Sequence, residues 1–195
     1  MTMRRILALV LLLLLSPLLV LLALLVLCAH GWPVLFTQER AGLHGRPFRL
    51  YKFRSMRTPS YPGESDEARL TRFGRWLRRT SLDELPGLWN VLTGDMNFIG
   101  PRPLPTVYVA RCTPEQRRRY ALRPGITGWA QVHGRNALDW ESRFRLDCWY
   151  VDHASWCVDL RILWLTLRVV LTGAGVSAPG QATCAEFLPD KDGRS

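Results

Sequence analysis

The chain has 195 residues, with 26 Lys and Arg against 16 Asp and Glu, a net charge of +10 and a pI near 10.1. That surplus calls for an anionic partner: nucleic acid, acidic lipid or a phosphorylated substrate. The five cysteines (Cys28, Cys112, Cys148, Cys157 and Cys184) form no C-x-x-C pair, which argues against a zinc ribbon. Their odd count and irregular spacing argue against a disulfide scaffold, so a reducing compartment is expected.

Ile6 to Ala29 is an almost unbroken apolar run, interrupted only by Ser16 and Pro17. As a straight helix it would measure about 36 Å against a hydrocarbon core of about 30 Å. It is too long for a usual secretory core, and bulky Leu27 before Cys28 argues against a lipoprotein signal. Arg4 and Arg5 mark one flank as cytoplasmic, and Arg40, Arg46, Arg49, Lys52, Arg54 and Arg57 mark the other the same way. A single crossing cannot satisfy both flanks, whereas a helix bent at Pro17 can. The residues alone leave a tolerated proline in an ordinary span equally open.

Val34 to Gln38 and Arg46 to Met56 read as two strands of a hairpin, turning through Ala41 to Gly45. Phe48 and Leu50 fall on one face of the second strand, Tyr51 and Phe53 on the other. Thr58 to Asp66 is a Pro, Ser and Gly-rich loop. Glu67 to Arg79 is expected as one basic amphipathic helix, with Leu70, Phe73, Trp76 and Leu77 on its apolar face. Such a helix suits an anionic lipid surface, or a solvated basic face over a core.

Ser81-Leu82-Asp83-Glu84 opens the next helix and matches a capping box; that helix should run to about Leu92. Thr113-Pro114-Glu115-Gln116 opens another. Asn136 is expected to cap a helix from Ala137 to about Val151. The last helix, about Ser155 to Leu171, carries a stripe of Trp156, Leu160, Leu163, Trp164, Leu167 and Leu171. That stripe fits a lipid interface or a protein core equally well. The segment after Gly173 reads as a loop-like tail.

No Walker A loop, G-x-G-x-x-G, H-E-x-x-H or G-x-S-x-G occurs, and the four histidines do not cluster. Chemistry therefore falls to carboxylates, arginines and a metal ion. Asp83-Glu84 is the best candidate. Adjacent helical residues point about 100° apart, so one carboxylate can face a phosphorus atom while the other holds Mg²⁺. An aspartate can attack a phosphoryl centre covalently, with arginines and Mg²⁺ neutralising the phosphate oxygens. Arg78, Arg79 and Arg102 are the nearby cations. The competing reading is structural: Glu84 completes the capping box and both acids suit a helix N-terminus.

Three groups of motifs carry a resemblance. The first is Gly31-Trp32-Pro33-Val34-Leu35-Phe36-Thr37-Gln38-Glu39-Arg40-Ala41-Gly42 with Tyr51-Lys52-Phe53-Arg54-Ser55-Met56. The second is Thr80-Ser81-Leu82-Asp83-Glu84-Leu85-Pro86, Leu88-Trp89-Asn90-Val91-Leu92, Gly94-Asp95-Met96 and Gly100-Pro101-Arg102-Pro103. The third is Arg123-Pro124-Gly125-Ile126-Thr127-Gly128-Trp129-Ala130-Gln131-Val132 with Gly134-Arg135-Asn136. Together, over about Leu7 to Ser177, the chain resembles the bacterial sugar transferase family, the monotopic polyprenyl-phosphate phosphoglycosyl transferases, in their small minimal form.

The resemblance implies an α+β fold. Residues 1–30 would form a re-entrant membrane helix broken at Ser16-Pro17, residues 31–177 a catalytic domain on the cytoplasmic face of the bacterial inner membrane, and residues 178–195 a tail. It implies Asp83 as nucleophile on the β-phosphate of a UDP-sugar, with release of UMP and passage of the phosphosugar to polyprenyl (undecaprenyl) phosphate. Glu84, with Asp83, would bind Mg²⁺. Arg78 and Arg102 match positions near the donor, and Lys52, Arg135, Asp147 and Asp159 match further polar positions that could equally be structural ion pairs. His133 departs from the family, which often has asparagine there. The alternative function is a non-enzymatic basic module on a membrane surface. Nucleic-acid binding is not expected, because no motif of that kind is present.

Overall fold

The computed structural model describes residues 2–134, 138–172 and 186–188. Two helices open the chain, α1 (Met3–Leu14) and α2 (Ser16–His30), bent by 63° at Leu15. The bend has a local cause. Pro17 has no N–H, so the carbonyl of Leu13, four residues earlier, lacks its backbone donor. The Ser16 hydroxyl supplies the replacement, donating to Leu13 O at 2.8 Å. Among the described residues no single helix is long and apolar enough to cross a membrane; this bent pair passes that test together, by length and composition.

Both arms of the pair dock on one body. In α1, Ala8 is fully buried against Leu50, Val91 and Met96, and Arg5 Nη2 donates to the Thr93 carbonyl at 2.8 Å. The Arg5 guanidinium lies over Gly94, whose φ of +93° is one that residues with a side chain rarely adopt. In α2, Leu22 and Val26 pack against Phe53 and Leu77, and His30 Nε2 is 2.8 Å from Thr71 Oγ1. The elbow between the arms is left uncovered: Leu14 is 71% exposed, and Leu13 and Val20 are also exposed.

Strands β1 (Leu35–Ala41) and β2 (Pro47–Phe53) pair antiparallel from Leu35↔Phe53 to Ala41↔Pro47. The first strand is longer and the second shorter than the pattern predicts, because the register closes at a 3₁₀ turn over Leu43–Gly45. The expected two-faced pattern of β2 is present. Leu50, with Phe48, meets the α1 cluster, and Phe53 meets the α2 cluster.

The single basic helix expected over 67–79 is two helices, α3 (Asp66–Arg69) and α4 (Arg72–Thr80). Each has its own cap: Ser65 accepts from Ala68 N, and Thr71 from Gly74 N. Leu70 between them is extended and bridges Met56. Gly74 allows the close approach of α4 to the 54–56 segment, since a Cβ there would lie 1.8 Å from the Ser55 carbonyl oxygen.

Ser81 also corrects the expectation. It closes α4 in the left-handed conformation (φ 57°) and makes no side-chain cap. An N-cap residue needs an extended backbone, so the capping box with Glu84 does not form. A 3₁₀ turn, Leu82–Glu84, follows, and α5 starts only at Gly87, running to Thr93.

Strand β3 (Asn97–Ile99) pairs parallel with β4 (Gly125–Thr127). Between them lie α6 (Val107–Arg111), α7 (Pro114–Arg117), opened by the expected Thr113/Gln116 capping box, and a 3₁₀ turn over Arg118–Ala121. After β4 come α8 (Trp129–Val132), α9 (Trp140–His153) and α10 (Trp156–Thr172). Helix α9 starts three residues later than expected, because Asp139 caps it by accepting from Ser142 N at 2.7 Å; Asn136 lies outside the described residues. Within α10, Ile162 is buried against Trp129 and Tyr150. The predicted stripe faces outward instead: all six of its residues are exposed, Trp164 at 63%. Of the expected tail, residues 186–188 are described, and Phe187 packs into the core beside Tyr108 and Phe144. This is an α+β arrangement with two small sheets.

Candidate active site

Four separate elements bring their polar side chains to one cavity of about 1010 Å³. Strand β2 supplies Lys52, α4 supplies Arg78, the 3₁₀ turn supplies Asp83 and Glu84, and the loop after β3 supplies Arg102. Glu84 Oε1 accepts from Lys52 Nζ at 2.5 Å and from Arg102 Nη1 at 3.3 Å. Arg78 Nε donates to Ser55 Oγ at 2.9 Å. The turn itself explains the convergence. With Ser81 left-handed, the chain reverses after α4 and drives Asp83 inward, leaving it 8% exposed.

That burial raises the Asp83 carboxyl to about 6; Lys52 opposes the rise, Glu84 adds to it, and Arg78 and Arg102 oppose it. Burial also lowers Arg78, against the pull of Asp83. The site is a buried carboxylate among cations, poised to lose its proton near neutral pH.

Arg40 was counted in the sequence only as a flanking charge, yet β1 turns it into the same cavity. It donates to the Pro103 carbonyl at 3.1 Å and to Gln38 Oε1 at 2.6 Å, and burial brings it down to about 10. The alternation of β1 carries the signal, once its register is known.

Other expected site residues lie elsewhere. Asp147, on α9, is fully buried and pairs with Arg119, whose Nε and Nη2 lie 3.1 and 2.5 Å from Asp147 Oδ2. Arg119 Nη2 also donates to the Arg102 carbonyl at 2.7 Å, so this pair stands directly behind Arg102. Arg119 went unnoticed because it sits in an Arg117–Arg119 run that reads as surface charge. Asp159, near the start of α10, accepts from Tyr150 Oη at 2.6 Å and is not among the cavity's lining residues. Arg135 lies outside the described residues. His133 sits on Trp129, its Nδ1 2.8 Å from the Trp129 carbonyl.

No group of three or more His, Cys, Asp or Glu that could hold a metal occurs among the described residues. The Asp83-Glu84 pair still fits Mg²⁺. That ion takes hard oxygen ligands and is typically held by one or two carboxylates, with substrate phosphates and water completing its shell.

The family model described as bacterial sugar transferase matches residues 1–173. The sugar transferase EpsL of Bacillus subtilis (strain 168) is 50% identical over 166 residues, covering 83% of this chain and 82% of its own. The UDP-N-acetylgalactosamine-undecaprenyl-phosphate N-acetylgalactosaminephosphotransferase of Aeromonas hydrophila is 40% identical over 171 residues, 82% of this chain and 40% of its own. The UDP-glucose:undecaprenyl-phosphate glucose-1-phosphate transferase of Escherichia coli (strain K12) is 39% identical over 180 residues, 83% of this chain and 38% of its own. The chain thus spans about two fifths of the length of these last two relatives.

Proposed function

The chain belongs to the bacterial sugar transferase family, and on that premise we propose that it transfers a sugar-1-phosphate from a UDP-sugar to polyprenyl phosphate, undecaprenyl phosphate in the cell, releasing UMP. One observation carries this reading. The cavity lined by Asp83, Glu84, Lys52, Arg78 and Arg102 is also lined by Leu11 and Leu15 at the elbow of the apolar helix pair. A single space with charged walls at one side and aliphatic walls at the other suits a soluble anionic donor and a lipid-borne acceptor.

In the proposed mechanism an Asp83 carboxylate oxygen attacks the β-phosphorus of the donor. The bond from that phosphorus to the bridging oxygen breaks, and UMP leaves with its electron pair. The phosphosugar is then an acyl phosphate on Asp83. A phosphate oxygen of the polyprenyl phosphate attacks the same phosphorus, forming the pyrophosphate link and freeing the Asp83 carboxylate. The acceptor is already anionic, so no strong general base is required. Lys52 and Arg102 hold Glu84 in place, and Arg78 lies beside Asp83 to offset charge on the phosphate. Glu84 and Asp83 would hold Mg²⁺, which when bound would help neutralise the charge on the diphosphate oxygens.

The membrane placement proposed is monotopic, at the cytoplasmic face of the inner membrane. Its support is the docking of both arms of the bent pair on one body, with Arg5 at Thr93 and His30 at Thr71. The uncovered apolar elbow and the exposed α10 stripe are the surfaces that lipid would cover.

The test is product analysis with undecaprenyl phosphate, Mg²⁺ and a panel of UDP-sugars. UMP release, loss of turnover in Asp83→Asn, and a phosphosugar trapped on Asp83 are expected. Release of UDP, or normal turnover in Asp83→Asn, would refute the assignment.

A further inference from the structure

Gln131, on α8, is 8% exposed and lines the cavity that holds Asp83, Glu84 and Arg102. Neither its Oε1 nor its Nε2 has a hydrogen-bond partner among the described residues. Buried polar groups are almost always paired, and an amide taken out of water without a partner is destabilising. The neighbourhood is built closely around this side chain. A Cβ on Gly128 would lie 2.7 Å from Gln131 Oε1 and 2.0 Å from the Gly100 carbonyl oxygen. Gly128 has an extended backbone (φ −175°), so what it provides is room. The amide therefore sits against the Gly100 segment, two residues from Arg102.

We propose that Gln131 reads the uracil base of the donor, Oε1 accepting from the N3–H and Nε2 donating to the adjacent ring carbonyl oxygen. This rests on the proposed function, in which the donor is a uridine nucleotide. The choice of group follows from donor and acceptor order. A primary amide carries an acceptor beside a donor in one plane. Of the planar groups that the proposed donor can carry, the one that pairs both at once is the uracil imide, whose N–H and C=O point the same way. In a trans acetamido group on a sugar the N–H and C=O point in opposite directions, so it satisfies only half of the amide. The geometry therefore assigns Gln131 to the constant part of the donor and leaves sugar selection to other residues.

The test uses the full chain in lipid nanodiscs, with UMP and N3-methyl-UMP as probes by calorimetry, and Gln131→Leu and Gln131→Met as variants. Wild type should bind UMP about ten- to a hundredfold tighter than N3-methyl-UMP, because the methyl removes the N3–H donor and leaves the buried Gln131 Oε1 without a partner. Both variants should lose that preference by weakening for UMP alone. Their nucleotide-free melting temperature should hold or rise, because an unpaired amide has gone. Three results would overturn the assignment: wild-type UMP affinity in the variants, a retained preference for UMP over N3-methyl-UMP, or a lower melting temperature with equal loss for both probes. An altered ranking of UDP-glucose against UDP-galactose at unchanged UMP affinity would move Gln131 to the sugar and likewise overturn it. If wild type turns over UDP-sugars while the variants fail in these ways, Gln131 alone is misassigned; if wild type binds no uridine nucleotide and turns over no UDP-sugar, the proposed function falls first.

Discussion

Asp147→Asn separates a buried strut from a residue that touches substrate. Asp147 and Arg119 are each 1% exposed at the side chain. Arg119 also lies over the rings of Tyr120 and Phe144, at 5.3 and 5.5 Å. Removing one partner leaves the other charge buried without compensation, which costs about 3–5 kcal/mol. For a chain of this size each kcal/mol moves the melting temperature by about 2–4 °C, so a fall of roughly 6–20 °C is expected. Replacing both partners, as Arg119→Met with Asp147→Leu, removes the stranded charge, and such swaps are often neutral or stabilising by about 1–4 kcal/mol. That double variant should regain most of the lost stability. It should not regain full activity. The Arg102 carbonyl has lost its 2.7 Å donor, and misplacing the arginine that the proposed reaction sets against phosphate by about 1 Å can cost up to about a hundredfold. The assays are thermal denaturation in nanodiscs and UMP release. Wild-type melting in Asp147→Asn together with abolished turnover would refute the strut and make Asp147 a chemical participant.

The Asp83 carboxyl stands at about 6, mainly through burial, so kcat/KM for the donor should rise with pH through about 6 and then level; a flat profile from pH 5 to 8 contradicts this. Its folded value lies above the ordinary 3.8, so the native state holds the proton more tightly, and this contribution to stability is complete below about 4 and lost as pH rises through 6. Lys52→Met removes the largest charge opposing that rise and should move the acid limb to higher pH, with partial recovery of activity under alkaline conditions. In a cysteine-free background, Thr2→Cys and Tyr61→Cys should react with an impermeant maleimide from the same side of sealed vesicles, and Ser16→Ala with Pro17→Ala should protect a fraction of Thr2→Cys; labelling from opposite sides in the parent would rule out the re-entrant geometry. A nitroxide on Leu167→Cys should be relaxed by oxygen and shielded from an aqueous nickel complex, and the reverse pattern would place α10 in water.

The sequence made the strongly patterned features readable. The Ser16-Pro17 break has a local cause, a missing N–H and a hydroxyl one residue away, but the residues alone leave it level with an ordinary span, and the family resemblance favours it. The hairpin announced itself through β2, whose two faces serve two different clusters. The failures occurred where a local motif met a tertiary demand. Ser81-x-x-Glu84 has the composition of a capping box, but closing α4 claims the Ser81 backbone, while Lys52 and Arg102 claim the Glu84 carboxylate. Glu67 to Arg79 has one helical period, but Gly74 must pass within contact of Ser55, and the helix restarts at Thr71 to achieve it. Periodicity also could not say which side of α10 faces the protein. Ile162 alone is buried, and the stripe with the stronger helical pattern is the one facing out. Arg119 and Gln131 stayed hidden because a buried arginine in a basic run and a buried glutamine in a short helix have no pattern at all.

Charge explains why a single cavity can serve two successive anionic substrates in the proposed reaction. Its lining holds eight Lys or Arg side chains and three carboxylates. Part of that excess is already committed: Arg69 pairs with Asp66, Arg57 with Glu64, and Lys52 and Arg102 with Glu84. The excess of cations over carboxylates in the lining raises the cost of leaving the site empty and lowers that of filling it with a diphosphate, since cations buried at low dielectric repel one another more strongly than in water. Arg40 is depressed chiefly by burial and further by the neighbouring Arg102, while Tyr108 and Glu84 pull the other way. Entry of the donor would relieve that repulsion. Departure of UMP would restore part of it, leaving the cavity attractive to the second anion, the phosphate of the lipid carrier. A ping-pong order then needs no conformational gate. In the proposed reaction, the same excess positive charge that binds the donor would draw in the acceptor once the first leaving group has gone. Adding salt should therefore weaken both substrates, and weaken the exposed approach more than the buried contact with Asp83.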